Sequence, residues 1–290
     1  MQKKIVYPAL AVLLGGVGFA LRRWELATAF EETGLVTPGM PSTLALIALS
    51  AIVGILCALL GWSRRNVDYG DYDTAFAAKD CSLFMGAVVL SAFFLLGAAA
   101  LKLTGIPTAY REAAALAAQG SGGNPALTML LPILMAALSA AAGICVLVTG
   151  RNAYRGEPTG KYSSLVLMPA YLCCVWLIAA YQNRAADPVI QDYIYELLAI
   201  ICVLLSVYYL SSFAFETSKA GRALCFSLLA VYFSMTTLAD AHDWATMALY
   251  GFGILYPLTM SAVLLSKTGK PREKKGAGDT EETEETPNEG

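Results

Sequence analysis

Charge is what this chain has least of. Of 290 residues, 14% are Asp, Glu, Lys or Arg against 57% hydrophobic, and one histidine, His242, serves the whole length. Mean hydropathy is +0.57. A water-soluble domain carries about 25% charged residues, so the shortage excludes an ordinary soluble globule. The motifs of soluble chemistry are absent too: there is no GxxxxGK[ST] loop, no GxGxxG, no HExxH and no CxxC. The chain is therefore expected not to be an enzyme in the usual soluble sense, and no cofactor or resident metal is expected.

What is present is apolar, in eight runs near 5–21, 42–62, 82–103, 125–149, 163–183, 189–213, 221–239 and 244–266. Each approaches the 17 to 25 or so residues that a helix needs to cross a bilayer. The expected fold is an all-α polytopic transmembrane bundle over residues 1–266, followed by a disordered tail, 267–290. That tail turns from basic (KTGKPREKK) to acidic and low in complexity (DTEETEETPNEG), a composition that cannot bury a core.

The few charges are distributed unevenly. With the N-terminus inside, Arg22, Arg23, Lys102, Arg111 and Arg184 are the only outer bases, and the other 15 of the 20 Lys and Arg fall in inner segments. Basic residues mark the cytoplasmic side, so both termini are expected to be cytoplasmic in a cell-membrane protein. The first run resembles a signal peptide in its leading Lys3-Lys4 and its Ala27-Thr28-Ala29. However, Arg22-Arg23-Trp24-Glu25 stand between the apolar run and that cleavage pattern, and an uncleaved first span is expected. None of the seven cysteines falls in an outer loop, so they read as small apolar packing residues rather than disulfides.

The connections carry their own signals. Residues 22–41 read as a helix-compatible start, a C-cap at Gly34 and a Pro38-Gly39 turn. TAYREAAALAAQGSGGNP reads as a short alanine-rich helix and a GSGG hinge, with Asn124 and Pro125 opening the fourth span. RRNVDYGDYDTAFAAKD gathers Asp68, Asp71 and Asp73, but position 12 of an EF-hand loop counted from Asp68 is Lys79. A solvated turn is expected there. Pro132, Pro169 and Pro257 fall inside spans and predict kinks, whereas Gly15, Gly16 and Gly18 in the first span and Ala136, Ser139, Ala140 and Gly143 in the fourth predict close helix approach.

An internal repeat suggests itself. IVYPALAVLLGGVGFALRR laid over VLMPAYLCCVWLIAAYQNR aligns Pro8 with Pro169, Ala9 with Ala170 and Arg23 with Arg184, and Thr149-Gly150-Arg151 recurs as Thr268-Gly269-Lys270. Two halves, 1–150 and 162–266, would then share one orientation. Chance similarity between apolar segments is the alternative, and superposition decides.

The candidate site lies on the outer side. ADPVIQDYIYELLAI opens the sixth span, with Asp187 as N-cap, Pro188 as N1, and Asp192 and Glu196 on one helical face. Glu196 lies about 13 Å along that helix, so a charge there needs a partner. The candidates are Arg184, Arg22 or Arg23, His242, or a bound cation. LADAHDWAT, between the last two spans, adds Asp240, His242 and Asp243, with Asp243 placed to cap the next helix. Three adjacent ligands on one turn rarely converge on a metal.

Nine outer carboxylates (Glu25, Glu31, Glu32, Glu112, Asp187, Asp192, Glu196, Asp240, Asp243) against five bases favour cations. The expected function is a permease-like or transport-associated protein with an outward-facing acidic pocket for a small polar or cationic solute. The alternative is a non-catalytic scaffold or sensor subunit whose membrane or cytoplasmic protein partner docks on the tail. The lipid bilayer is an expected partner and nucleic acid is not.

Overall fold

The computed structural model describes residues 3–30, 37–119, 125–158, 160–184, 189–215, 219–267 and 269–271. It is all-α: α1 (Lys3–Thr28), α2 (Pro41–Ser63), α3 (Tyr72–Ala75), α4 (Ser82–Ala118), α5 (Pro125–Arg155), α6 (Met168–Arg184), α7 (Ile190–Ser211), α8 (Ala220–Thr237) and α9 (Trp244–Ser266). Among the described residues, eight segments are long and apolar enough to cross a membrane. They coincide with every helix but the four-residue α3, and the chain is a multi-pass integral membrane protein.

α8 is the axis of the bundle, packed against α1, α2, α7 and α9. Its composition explains the position. Ala223, Ser227, Ala230 and Ser234 are small and fully buried, which lets neighbouring backbones approach. The Ser227 and Ser206 hydroxyls bond each other at 2.8 Å between α8 and α7. α2 is the opposite case. Its hydropathy of 2.7 against 1.2 for α8 goes with lipid-facing Leu44, Ile47, Ile52, Ile55 and Leu59, all exposed at the bundle surface. The close approach expected of α1 is present at Gly15, set against Met235, and at Gly18, set against Thr236 and Tyr232 of α8, but not at Gly16, which has open space around it. All seven cysteines are free.

Several expectations are corrected. α1 does not end at residue 21 but continues to Thr28, carrying Arg22, Arg23 and Glu25 onto the helix. α4 is a single helix of 37 residues, about 56 Å at 1.5 Å per residue, so no separate alanine-rich helix follows the third span. Alanine's high helix propensity carries the helix past Pro107, and the Thr104 and Thr108 hydroxyls bond the Leu101 and Gly105 carbonyls around it. Pro169 sits at the second residue of α6, after a 3-10 stretch (Gly160–Leu167), and not in mid-helix.

The segment between α2 and α4 is more than a solvated turn. Tyr72, Ala75 and Phe76 are buried, with Phe76 edge-on to Phe213 at 5.2 Å. Val67–Asp68 pairs antiparallel with Lys270–Pro271. Burial pushes the Tyr72 phenol well above its ordinary range. The Pro38-Gly39 turn is present, with Gly39 at φ 78°. Gly34, the GSGG segment, Asn124 and residues 272–290 of the tail lie outside the described residues.

Candidate functional site

The C-terminal end of α1, the N-terminal end of α7 and the turn between α8 and α9 meet around one side chain that the sequence reading placed in a loop. Arg22 is 0% exposed and Glu25, one helical turn on, is 2% exposed. The Arg22 guanidinium donates from Nη1 to Glu25 Oε2 at 2.7 Å, from Nε to Asp240 Oδ1 at 2.8 Å, and from Nη2 to the Asp192 carbonyl at 2.7 Å. Tyr195 of α7 lies 5.2 Å beneath it, ring to cation. A buried cation held this fully is stabilised by charge-assisted bonds that offset its desolvation.

A second guanidinium extends the cluster. Arg184, at the end of α6, donates to Asp192 Oδ2 at 3.2 Å and meets Glu196 Oε2 at 3.5 Å. Asp192 and Glu196 thus share a face and a base, as the spacing predicts. Val189 and not Asp187 is the N-cap of α7, and Asp187 and Pro188 lie outside the described residues.

Asp240 joins the cluster through Arg22 and through the Thr237 hydroxyl, which donates to its Oδ2 at 3.0 Å. Burial pushes the Asp240 carboxyl above its ordinary range, against the opposing pull of Arg22 and Thr237. His242 is tied to the same turn, with Nε2 2.8 Å from the Thr237 carbonyl, and its ring stands 5.0 Å from that of Tyr250. Glu196 is within electrostatic reach of His242, Arg184 and Asp240.

Asp243 does not join them. It occupies the N-cap of α9 with extended backbone, φ −70° and ψ 155°, accepts a bond from the Thr246 hydroxyl and pairs with Lys102 of α4 at 3.1 Å. Although partial burial raises its carboxyl, Thr246 and Lys102 outweigh that and leave it below its ordinary range. Among the described residues, no three His, Cys, Asp or Glu side chains converge to hold a metal.

The cluster carries four carboxylates, Glu25, Asp192, Glu196 and Asp240, on two guanidiniums. Beside it the Tyr250 hydroxyl is buried next to Thr237 and within electrostatic reach of Glu196 and Asp240. A cleft of about 430 Å³ between α2 and α7 reaches Glu25 from the side, lined also by Thr43, Ser50, Ile194, Tyr195 and Leu198. A second cleft, of about 610 Å³ between α4, α5 and α6, holds Lys102 and Glu112. Arg22 and Glu25 were the residues that sequence reasoning undervalued. The signal was their i,i+3 spacing, which continues a helical face beyond the apolar run.

Comparison with known proteins returns no matching family model, no matching curated protein and no matching solved structure.

Proposed function

We propose that this is a permease-like or transport-associated membrane protein whose outer cluster takes up a small cation, the proton included. The observation that carries this reading is the excess of carboxylate in the cluster, four against two guanidiniums, with Glu25 and Glu196 buried and the Asp192 side chain 36% exposed. An unmatched charge in a low-dielectric site costs several kcal/mol, and a bound cation or proton removes that cost. The cleft that reaches Glu25 supports it. The site acts by binding, without catalysis. With both termini cytoplasmic in a cell membrane, as the basic asymmetry favours, the cluster faces outward. The two halves, 1–150 and 162–266, belong to the same proposal, and an overlay of α1, α2, α4 and α5 on α6 to α9 in one order and direction tests them.

A second reading, a non-catalytic scaffold or sensor, is favoured by one observation: each guanidinium already engages two carboxylates, so the network also serves as a clamp. Melting of the detergent-solubilised wild type and Glu196→Gln, across pH and with sodium, potassium or tetramethylammonium chloride, separates the two. For a cation site, one of these ions raises the wild-type melting temperature and leaves the variant unmoved, and acidification, which protonates Asp240 in both, raises the wild type by more than the variant. For a clamp, Glu196→Gln melts lower in every condition, no ion shifts either protein, and acidification shifts both alike through Asp240.

A further inference from the structure

The end of the bundle opposite Arg22 carries a site of different character. α2 ends and α8 begins there, and the two cross backbone to backbone. A Cβ built on Gly221 would run into the Gly61 carbonyl oxygen, and one on Gly61 would lie 2.7 Å from the Gly221 oxygen. Beside this crossing the helices part around a cleft of about 450 Å³, with Arg65, Lys219 and Arg222 in its walls.

Among the described residues, no carboxylate lies within ion-pair distance of any of the three. Aromatic rings support the guanidiniums instead. Arg65 sits 5.2 Å over the Trp62 ring, and Arg222 sits 5.8 Å over Tyr209, whose ring stacks on Phe226 at 5.5 Å. Ring faces hold a guanidinium in position without neutralising it. Three cations around one cleft, with no described carboxylate on them, repel each other, and an anion among them removes that repulsion.

The level of the cleft narrows the class of anion. Its residues fall at the ends of two membrane-length helices, and Trp62 is largely exposed, as interfacial tryptophans are. Ala58, Cys225 and Phe226 continue the wall along the bundle, an apolar surface that a free anion would not use.

We propose that this cleft binds the phosphate headgroup of an anionic phospholipid, with Arg65, Lys219 and Arg222 around the phosphodiester and acyl chain laid along Ala58 and Phe226. Basic pockets between transmembrane helices are recognised sites for such headgroups. The proposal is independent of what the Arg22 cluster binds and of which way the chain faces.

The test uses the full chain in zwitterionic micelles, titrated with dioleoylphosphatidylglycerol, dioleoylphosphatidylcholine or inorganic phosphate while melting is followed. Phosphatidylglycerol is expected to raise the melting temperature by about 3 °C or more, and the other two to leave it in place. Arg65→Gln with Arg222→Gln is expected to weaken phosphatidylglycerol binding about 25-fold, about fivefold for each base removed. If phosphatidylcholine stabilises equally, the contact is apolar only and the proposal fails. If inorganic phosphate alone reproduces the shift, the ligand is a soluble phosphate and the lipid assignment is overturned. A double variant with wild-type affinity also overturns it. Should the double variant not purify folded, Lys219→Gln alone, with phosphatidylglycerol retention counted by native mass spectrometry, decides by the same fivefold criterion.

Discussion

At one end of the bundle Arg22 is sealed between Glu25 and Asp240, and at the other Arg65 and Arg222 rest on aromatic rings with no carboxylate beside them among the described residues. The same chemical group does two kinds of work. Inside the bundle it neutralises carboxylates that would otherwise be stranded, so it belongs to the fold. At the surface of the opposite end it contributes charge and little packing, so it is available to a ligand. If this contrast is right, mutations at the two ends differ in what they cost, and the costs can be ordered.

The largest effect belongs to Arg22. Arg22→Ala leaves Glu25 and Asp240 buried without their cation and should cost about 3 to 5 kcal/mol, enough to lose the monodisperse peak on size exclusion or to lower the melting temperature sharply. Combining Arg22→Met with Glu25→Gln and Asp240→Asn should recover much of that loss. A single Arg22→Ala that melts like wild type would remove the Arg22 half of the comparison.

Next comes the crossing that frames the opposite site. Gly221→Val forces a side chain against the Gly61 carbonyl and should cost about 1 to 3 kcal/mol by overpacking, measured as a lower denaturation midpoint. Gly16, which has open space around it, is the control: Gly16→Ala should be neutral or slightly stabilising.

How far these differences were legible in the sequence depends on the residue. The eight spans were, because each consists of an apolar run of bilayer length and a helix is the simplest single segment that satisfies its own backbone in lipid. The pairing of Arg184 with Asp192 and Glu196 was also legible, since i,i+4 spacing and depth both demanded a base. Arg22 was not, because a hydropathy window closes at the first charge, and only tertiary contact shows that this charge is buried. Phe76 and Tyr72 were hidden in the same way, their burial depending on Phe213 at 137 residues' remove from Phe76. Asp243 was half legible. Its N-cap role follows from local sequence, but its separation from Asp240 and His242 depends on Lys102, brought in by a helix far away in sequence.

Within the turn between α8 and α9, two aspartates three residues apart should respond to pH with opposite sign. Asp240 has a folded-state pKa raised by burial, so its contribution to stability is fully present below its unfolded value and is lost as pH rises through the folded one. Asp243 has a lowered one, so its contribution is present above the unfolded value and is lost as pH falls through the folded one. From pH 7 toward 4, wild type should therefore gain on Asp240→Asn. Below about pH 3.8, the ordinary value, it should lose on Asp243→Asn. The second change should be under about 1 kcal/mol, since the Asp243 side chain is 58% exposed and screened by solvent. Parallel melting curves for both variants would place the two carboxylates in one environment and remove the contrast.

The smallest effect is expected at the basic end, and its smallness is the point. Arg65 and Arg222 are exposed at the bundle surface and lie on rings that also pack with other neighbours, as Tyr209 does on Phe226. Replacing both with glutamine in zwitterionic micelles without anionic lipid should change stability by no more than about 0.5 kcal/mol, in the range of surface substitutions that break no pairing. The sign should lean toward stabilisation, because removing two of three neighbouring positive charges relieves repulsion that no carboxylate among the described residues offsets. A loss above about 1 kcal/mol would mean that these guanidiniums hold the fold as Arg22 does, and the two ends of the bundle would then use arginine in the same way.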